Sequence, residues 1–202
     1  MASEVDLLND SLSQIGASPI TAIDDGSVAA NHCQRLYPAL RDGLIRAHHW
    51  NFAMARVELA QDATAPLFEF AYQYTLPADL LKIVEYNGAT PNSSTSIYAD
   101  YTQKPVSRYV IEGRMLLTND GQVKIVYLRR VTNPDEWDAL FYQVVASWLA
   151  SKLASAITKD ERKAKQKLEE AMGLLLPMAM AVDGQEGTVY PNVSDALTWG
   201  RR

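Results

Sequence analysis

Residues 109–128, YVIEGRMLLTNDGQVKIVYL, decide how the chain is read. Three runs rich in β-branched and large apolar residues, 109–111, 114–117 and 123–128, are separated by Glu112-Gly113 and by Asn119-Asp120-Gly121. Each separator carries a glycine where a tight turn asks for positive φ, so the spacing predicts a three-stranded meander.

Toward the C-terminus the period changes from two to that of a helix. Asn133, Pro134 and Glu136 combine a capping side chain, a first-turn proline and a reciprocating carboxylate, which predicts a helix over about 134–157. Trp137, Leu140, Phe141, Val144, Val145, Trp148, Leu149 and Leu153 make that helix apolar over much of its surface, so it belongs at the centre of a bundle. Thr158 and Glu161 repeat the capping pattern for a helix over about 159–180, with a stripe of Ala164, Leu168, Ala171, Leu175 and Met178. Pro177 is expected to kink or end it. From residue 183 the pattern dissolves into Gly, Pro and polar residues, with Tyr190, Leu197 and Trp199 as anchors. Residues 183–202 therefore read as an extended tail that orders against a partner.

Toward the N-terminus, 80–86 is a short β run and 68–76 an alternating, aromatic one, while 87–104 reads as an exposed loop. Between Trp50 and Pro66 the periodicity predicts no element. A helix over about 27–47 has Cys33, Leu36, Leu40, Leu44 and Ala47 on its apolar stripe, with Asn31, Gln34, Arg35, Asp42 and Arg46 on the wet face. A shorter helix over about 3–15 carries Val5, Leu8, Leu12 and Ile15, starts at a Ser3/Asp6 capping pair and stops at Gly16. The expected architecture is α+β: a small antiparallel helical bundle over 1–182 with an inserted β subdomain at about 66–130, and an extended C-terminal tail over 183–202.

The 202 residues suffice for a core without staples, and 48% hydrophobic with 21% charged residues is ordinary for a globular domain. A single cysteine, Cys33, excludes an internal disulfide. The acidic start MASEVDLLND predicts no secretory leader, and the longest apolar candidate for a membrane span, 172–182, is short and contains Pro177. A net charge of −5 speaks against tight binding of nucleic acid, though not against a surface past which DNA slides.

Chemistry-bearing motifs are sparse. His32, Cys33, His48 and His49 are the metal-capable residues, but adjacent helical side chains diverge by about 100°, and neither Cys-x-x-Cys nor His-Glu-x-x-His occurs. Cys33 sits on an apolar stripe, where an inert thiol belongs. Glycoside hydrolysis needs two carboxyl groups about 5–10 Å apart. Asp24-Asp25, however, precedes a helix, and Glu169 follows Lys165 at i+4, as on a solvated face. No phosphate-cradling loop and no Gly-x-Ser-x-Gly elbow is present. Arg129-Arg130 and the cluster Arg162, Lys163, Lys165 and Lys167 read first as solvated, acid-paired faces, and second as contacts to an acidic neighbour or to DNA. No catalytic, metal or cofactor residue is expected.

Five stretches in order resemble a known family, the tail tubular protein A or head-to-tail adaptor (connector) proteins of short-tailed phages. These are LLNDSLSQIGASPITAIDDGS (7–27), CQRLYPALRDGLIRAHHWNFAMARVELA (33–60), FEFAYQYTLPADLLKIV (68–84), YVIEGRMLLTND (109–120) and VKIVYLRRVTNPDEWDALFYQVVASWLASKLA (123–154). The likeness runs from about Leu7 to Lys159. It implies a structural virion protein without catalytic residues, forming a ring, typically of twelve copies, beneath the portal. The ring would extend the DNA ejection channel and offer a platform to the tail nozzle. Its partners would be the portal, the nozzle, other copies of itself and unspecifically passing DNA, with no membrane involved. It would sit at the portal vertex of the virion after assembly in the host cytoplasm. On this reading, helix faces make the ring contact, with Arg35, Arg41, Asp42, Arg46, Arg162 and Lys163 as candidates, and Tyr190 and Trp199 anchor the tail on the portal. The alternatives are a tail-associated peptidoglycan-cleaving enzyme and a DNA-binding head-completion protein.

Overall fold

The computed structural model describes residues 3–88 and 109–186. The expected tail anchors Tyr190 and Trp199, and most of the expected exposed loop at 87–104, lie outside the described residues. Helix α1 (Glu4–Ile15) begins at Ser3, whose Oγ accepts the Asp6 N–H at 3.1 Å while Asp6 Oδ2 accepts the Ser3 N–H at 2.9 Å. It ends at Gly16, left-handed at φ 76°. Asn9 then clamps the linker by binding both backbone polar groups of one residue, donating to Ile20 O (3.0 Å) and accepting Ile20 N–H (2.8 Å). Helix α2 (Val28–Ala47) starts on Ser27, whose side chain accepts the Ala30 N–H.

A 3-10 turn (Asn51–Ala53) leads into β1 (Met54–Leu59), a strand that the periodicity did not announce. There follow β2 (Tyr72–Thr75), β3 (Leu80–Tyr86), β4 (Tyr109–Glu112), β5 (Met115–Thr118) and β6 (Val123–Arg129). They form two antiparallel three-stranded sheets, ordered β1-β6-β3 and β2-β5-β4. The α+β architecture is therefore as expected, but the meander is not. Gly113 (φ 60°) turns β4 into β5, pairing Glu112 with Met115, whereas β6 leaves that sheet and pairs with β1 and β3. Asn119-Asp120-Gly121 is not a hairpin turn, and Gly121 lacks positive φ. Its polar groups are used elsewhere: Asn119 Oδ1 accepts the Ala71 N–H, Asp120 Oδ2 accepts the Tyr86 hydroxyl and the Asp120 carbonyl accepts that of Tyr74.

The layers are helices, first sheet, second sheet. Strand β6 is buried on both faces, with Leu128 in the helical core and Val123, Ile125 and Tyr127 in a second core between the sheets. A register irregularity between Ile83 and Glu85 lets Ile83 and Tyr86, three residues apart, share that second core while Val84 faces the helices.

The expected start of the third helix shifts. Asn133 caps only a 3-10 turn (Pro134–Glu136), and Glu136 pairs with Arg129 at 2.6 Å instead of reciprocating the cap. The true cap is Asp138, which accepts the Leu140 and Phe141 N–H groups and opens α3 (Ala139–Leu153). This helix is central, as its all-round apolarity requires, packing on α1 and α2 and on the last helix. Together with the π turn Ala154–Thr158 it forms a 20-residue helix of mean hydropathy 1.2, long and apolar enough by length and composition to cross a membrane. That corrects the expectation that no stretch approaches this length; its position is the middle of the bundle.

Asp160, not Thr158, caps α4 (Glu161–Glu169), accepting the Lys163 N–H at 2.9 Å, because Lys159 takes the left-handed turn (φ 54°) that ends the preceding helix. A π turn (Glu170–Leu175) continues into α5 (Leu176–Gln185). Pro177 falls in the first turn of α5, just after the π turn, where its missing N–H is accommodated and the helix runs on. Asp183 is consequently a buried helical residue, and the boundary expected at 182/183 falls inside an element.

Candidate functional site

The sequence-nominated residues divide into those used inside the subunit and those left facing out. Arg41 was expected at an interface but is only 6% exposed, because its guanidinium lies 5.4 Å from the centre of the Tyr37 ring and 2.8 Å from Asp42. Asp42 also receives Arg130 Nε at 2.7 Å, so its two oxygens serve two arginines of the same chain. Neither Arg41 nor Asp42 faces outward as the sequence reading supposed. Lys163 is half-buried and donates to Ile15 O at 3.2 Å, a favourable place for a cation at the C-terminus of α1. Arg35, Arg46 and Arg162 remain exposed; Arg35 lies 3.2 Å from His32 Nδ1, and Arg46 donates to Leu81 O at 2.7 Å.

The metal-capable residues go separate ways. His48 Nε2 lies 3.1 Å from Asp183 Oδ2, His49 lies 3.3 Å from Lys82 Nζ, and His32 contacts Arg35. Cys33 is buried without exposure, and burial pushes its thiol up to about 11. Among the described residues no group of three or more His, Cys, Asp or Glu is arranged to hold a metal ion. Three of the four paired carboxylates are likewise occupied. Asp25 accepts the Ser27 and Thr21 N–H groups, and the bonds from Ser27 hold its carboxyl below the ordinary range. Glu169 and Glu170 pair with Lys165 at 3.8 Å and with Lys167 at 2.8 Å.

Two polar centres escaped the sequence reading. Asp183, 5% exposed, accepts the Asn51 N–H (2.9 Å), sits against His48, and has its carbonyl bound by Asn51 Nδ2 at 2.7 Å, so α5 is locked to the turn after α2. Residues 132 or 135 apart in sequence make these contacts, which no local pattern announces. In the β subdomain, Asp120 Oδ2 accepts the Tyr86 hydroxyl (2.8 Å) and its carbonyl accepts Tyr74 (2.8 Å). Burial raises both phenols above their ordinary range.

What does face solvent is apolar and bulky. Leu67 and Phe68 are 97% and 79% exposed at the tip of the loop before β2, and Leu174 in the second π turn and Met178 on α5 are 61% and 45% exposed. A cleft of about 450 Å³ lies between β3 and β4, with Leu80, Ile83, Tyr109 and Ile111 in its lining and Arg46, Lys82 and Arg114 as its charged residues. Arg114 is fixed there by donating to the carbonyls of Leu76 and Pro77. No family model and no curated protein matches the chain.

Proposed function

We propose that this chain is a structural subunit of a ring adaptor between the portal and the tail of a short-tailed phage, acting through its surfaces and without catalysis. The observation that carries the reading is a contrast in use. The ionisable side chains that a reaction would need are tied into hydrogen bonds that hold the fold, whereas large apolar side chains, Leu67, Phe68, Leu174 and Met178, are left in solvent. Exposed apolar groups of this size mark contacts with other macromolecules. The five ordered stretches between Leu7 and Lys159 supply the identity of those macromolecules: portal above, tail nozzle below, identical copies on either side. DNA passes through the ring without specific binding, in keeping with a net charge of −5.

The test is an electron micrograph of the protein mixed with the portal of the same phage. A ring seated beneath the portal is the expected result; portals left bare at saturating protein, together with clearing of purified peptidoglycan, would overturn it. The tail takes part through Tyr190 and Trp199, docking on the portal. Because Asp183 belongs to the folded body, the deletion that tests this removes residues 187–202. The shortened chain should keep its melting temperature and lose portal attachment.

A further inference from the structure

We infer that the free edge of β4 accepts an extended strand of another protein, one that turns carboxylates into the cleft between β3 and β4. The site goes beyond the adaptor role and does not depend on it.

Backbone bonding shows which groups of β4 are free. The Leu76 N–H donates to Arg114 O (2.9 Å), so Arg114 and, by alternation, Leu116 and Thr118 direct their backbone groups toward β2. Met115 and Leu117 therefore bond to β4, opposite Glu112 and Val110. Tyr109 and Ile111, opposite Thr118 and Leu116, are left with N–H and C=O groups that point away from β5. β4 is the end strand of its sheet, and neither residue has another backbone partner among the described residues. Tyr109-Val110-Ile111 is an aromatic and β-branched run without the proline, lysine or bulge that usually guards such an edge.

The other wall, β3, is also an end strand, and it is guarded. Its register breaks between Leu80 and Lys82 and again between Ile83 and Glu85, and Leu81 O is taken by Arg46 Nη1 at 2.7 Å. The walls meet where Tyr86 stacks on Tyr109, 4.6 Å between ring centres. Arg114 ties them at the far end by donating to the Leu76 and Pro77 carbonyls. The cleft held between these ties, about 450 Å³, is the size of a ligand pocket.

Side chains and charge select the occupant. Tyr109 and Ile111 share a face with Leu116, which lies in the core between the sheets, so that face turns toward β3. Alternation puts Glu112 on the opposite face. Residues of an added strand that lie opposite Tyr109 and Ile111 point the same way, into the cleft. There they meet Leu80 and Ile83 together with Arg46, Lys82 and Arg114. These cations are engaged only by carbonyls and by His49, and no acid is among the described residues that line the cleft. An acid-bearing strand is the complement. The β4 edge of a second copy is not, since it would bring the same three cations against themselves. Strand addition of this kind takes affinity from main-chain bonds and specificity from alternate side chains.

The test titrates the full chain with the peptide Thr-Glu-Thr-Val-Thr-Glu-Thr, blocked at both ends, which turns glutamate, valine and glutamate to one face. Saturable binding is expected, with the Ile111 amide protected from hydrogen exchange only when the peptide is present. The same peptide with lysine for both glutamates should bind about tenfold more weakly. Methylating alternate peptide nitrogens should abolish binding in one phase and spare it in the other, because only every second N–H faces β4. Ile111→Pro, at a position 46% exposed, removes an N–H that the fold does not use and should lose the peptide at little cost in melting temperature. Lys82→Glu should narrow the preference for glutamate over lysine to about threefold. Equal tolerance of both methylation phases by the unaltered chain, or undiminished binding to Ile111→Pro, would overturn the strand pairing. Protection of the Ile111 amide before any peptide is added would mean that the chain covers its own edge. That result, or a lack of saturable binding, would overturn the site.

Discussion

The helical body and the β subdomain bury aromatic residues in two different ways. In the body, Phe141 lies 4.8 Å from Trp50, 4.9 Å from Phe52 and 5.1 Å from Trp137, ring centre to ring centre. The only polar atoms of that cluster, the indole N–H groups of Trp50 and Trp137, donate to the carbonyls of Leu44 (3.0 Å) and Val131 (3.2 Å). In the core between the two sheets the buried rings are tyrosines, and their hydroxyls reach Asp120, Thr118 and Asp79. Dry packing stabilises in proportion to the area buried, while a hydrogen-bonded network contributes less net energy and more geometry. The body is where the fold is held; the β subdomain is where loops are aimed.

If that division is right, truncating the centre of the dry cluster has the largest effect. Phe141→Ala should destabilise the protein by about 3–5 kcal/mol, read by urea unfolding. The loss should appear equally in a probe of the β subdomain, because Val84 and Leu128 carry the first sheet into the same core. Separate transitions for the two regions would break the comparison by showing two independent folding units.

The body's dryness has a pH consequence centred on Cys33. Burial raises the thiol to about 11, so the folded state retains a proton that the unfolded chain releases near its ordinary value of about 8.5. The stability involved is fully present below about pH 8.5 and is lost as the pH rises toward 11, amounting to roughly 3 kcal/mol. Cys33→Ala should remove this part of the alkaline decline. Tyr37, pushed up to about 12 by burial, acts in the same direction at higher pH and remains in both proteins. Identical pH profiles for the two would show that water reaches the thiol.

How much of this was legible beforehand follows the range of the interactions. Ser3 with Asp6, Gly16 and Ser27 are local devices, and the sequence located α1 and α2 from them. Strand β3 and the hairpin at Gly113 were equally readable, since alternation and turn chemistry act over a few residues. Where β6 pairs was not readable: Asn119-Asp120-Gly121 has the composition of a hairpin turn, but Ala71, Tyr74 and Tyr86 compete for its polar groups from 34 to 48 positions away. Strand β1 was missed for a related reason. Its partner is β6, and its burial pattern alone, mostly intermediate, carries little period. At the surface, Arg46 was nominated from charge on a helix face and is exposed, while of the strand read over 68–76 only Tyr72–Thr75 forms one, Phe68 lying in the exposed loop before it.

Asp183 sharpens the contrast: like Arg41, it is an ionisable group buried in the helical body. Asp183→Ala removes its contacts with the Asn51 N–H and His48 and should cost about 2–3 kcal/mol in urea unfolding. Asp183→Asn should cost less, since an amide oxygen still accepts the Asn51 N–H. Hydrogen exchange should place the loss in α5, with β6 unaffected. A loss spread over the whole molecule would mean that the carboxylate is part of the main core and not a lock on one helix.

The smallest effect belongs to the tyrosine network. Tyr86→Phe keeps the ring stacked on Tyr109, 4.6 Å between centres, and deletes only the hydroxyl that binds Asp120 and Thr118. Asp120 is half-buried and retains the Asn87 amide, so water and Asn87 can take up part of the lost bonding, and the cost should be about 1–2 kcal/mol. The more telling measurement is positional. Asp120 and Asn119 adjoin each other, and Asn119 holds the Ala71 N–H at the base of the Leu67-Phe68 tip. Loosening the network should therefore increase hydrogen exchange at Ala71 by more than the small stability loss accounts for. A variant that loses stability yet exchanges normally at Ala71 would show that the polar core merely fills space, and the assignment of aiming to one region and holding to the other would fail with it.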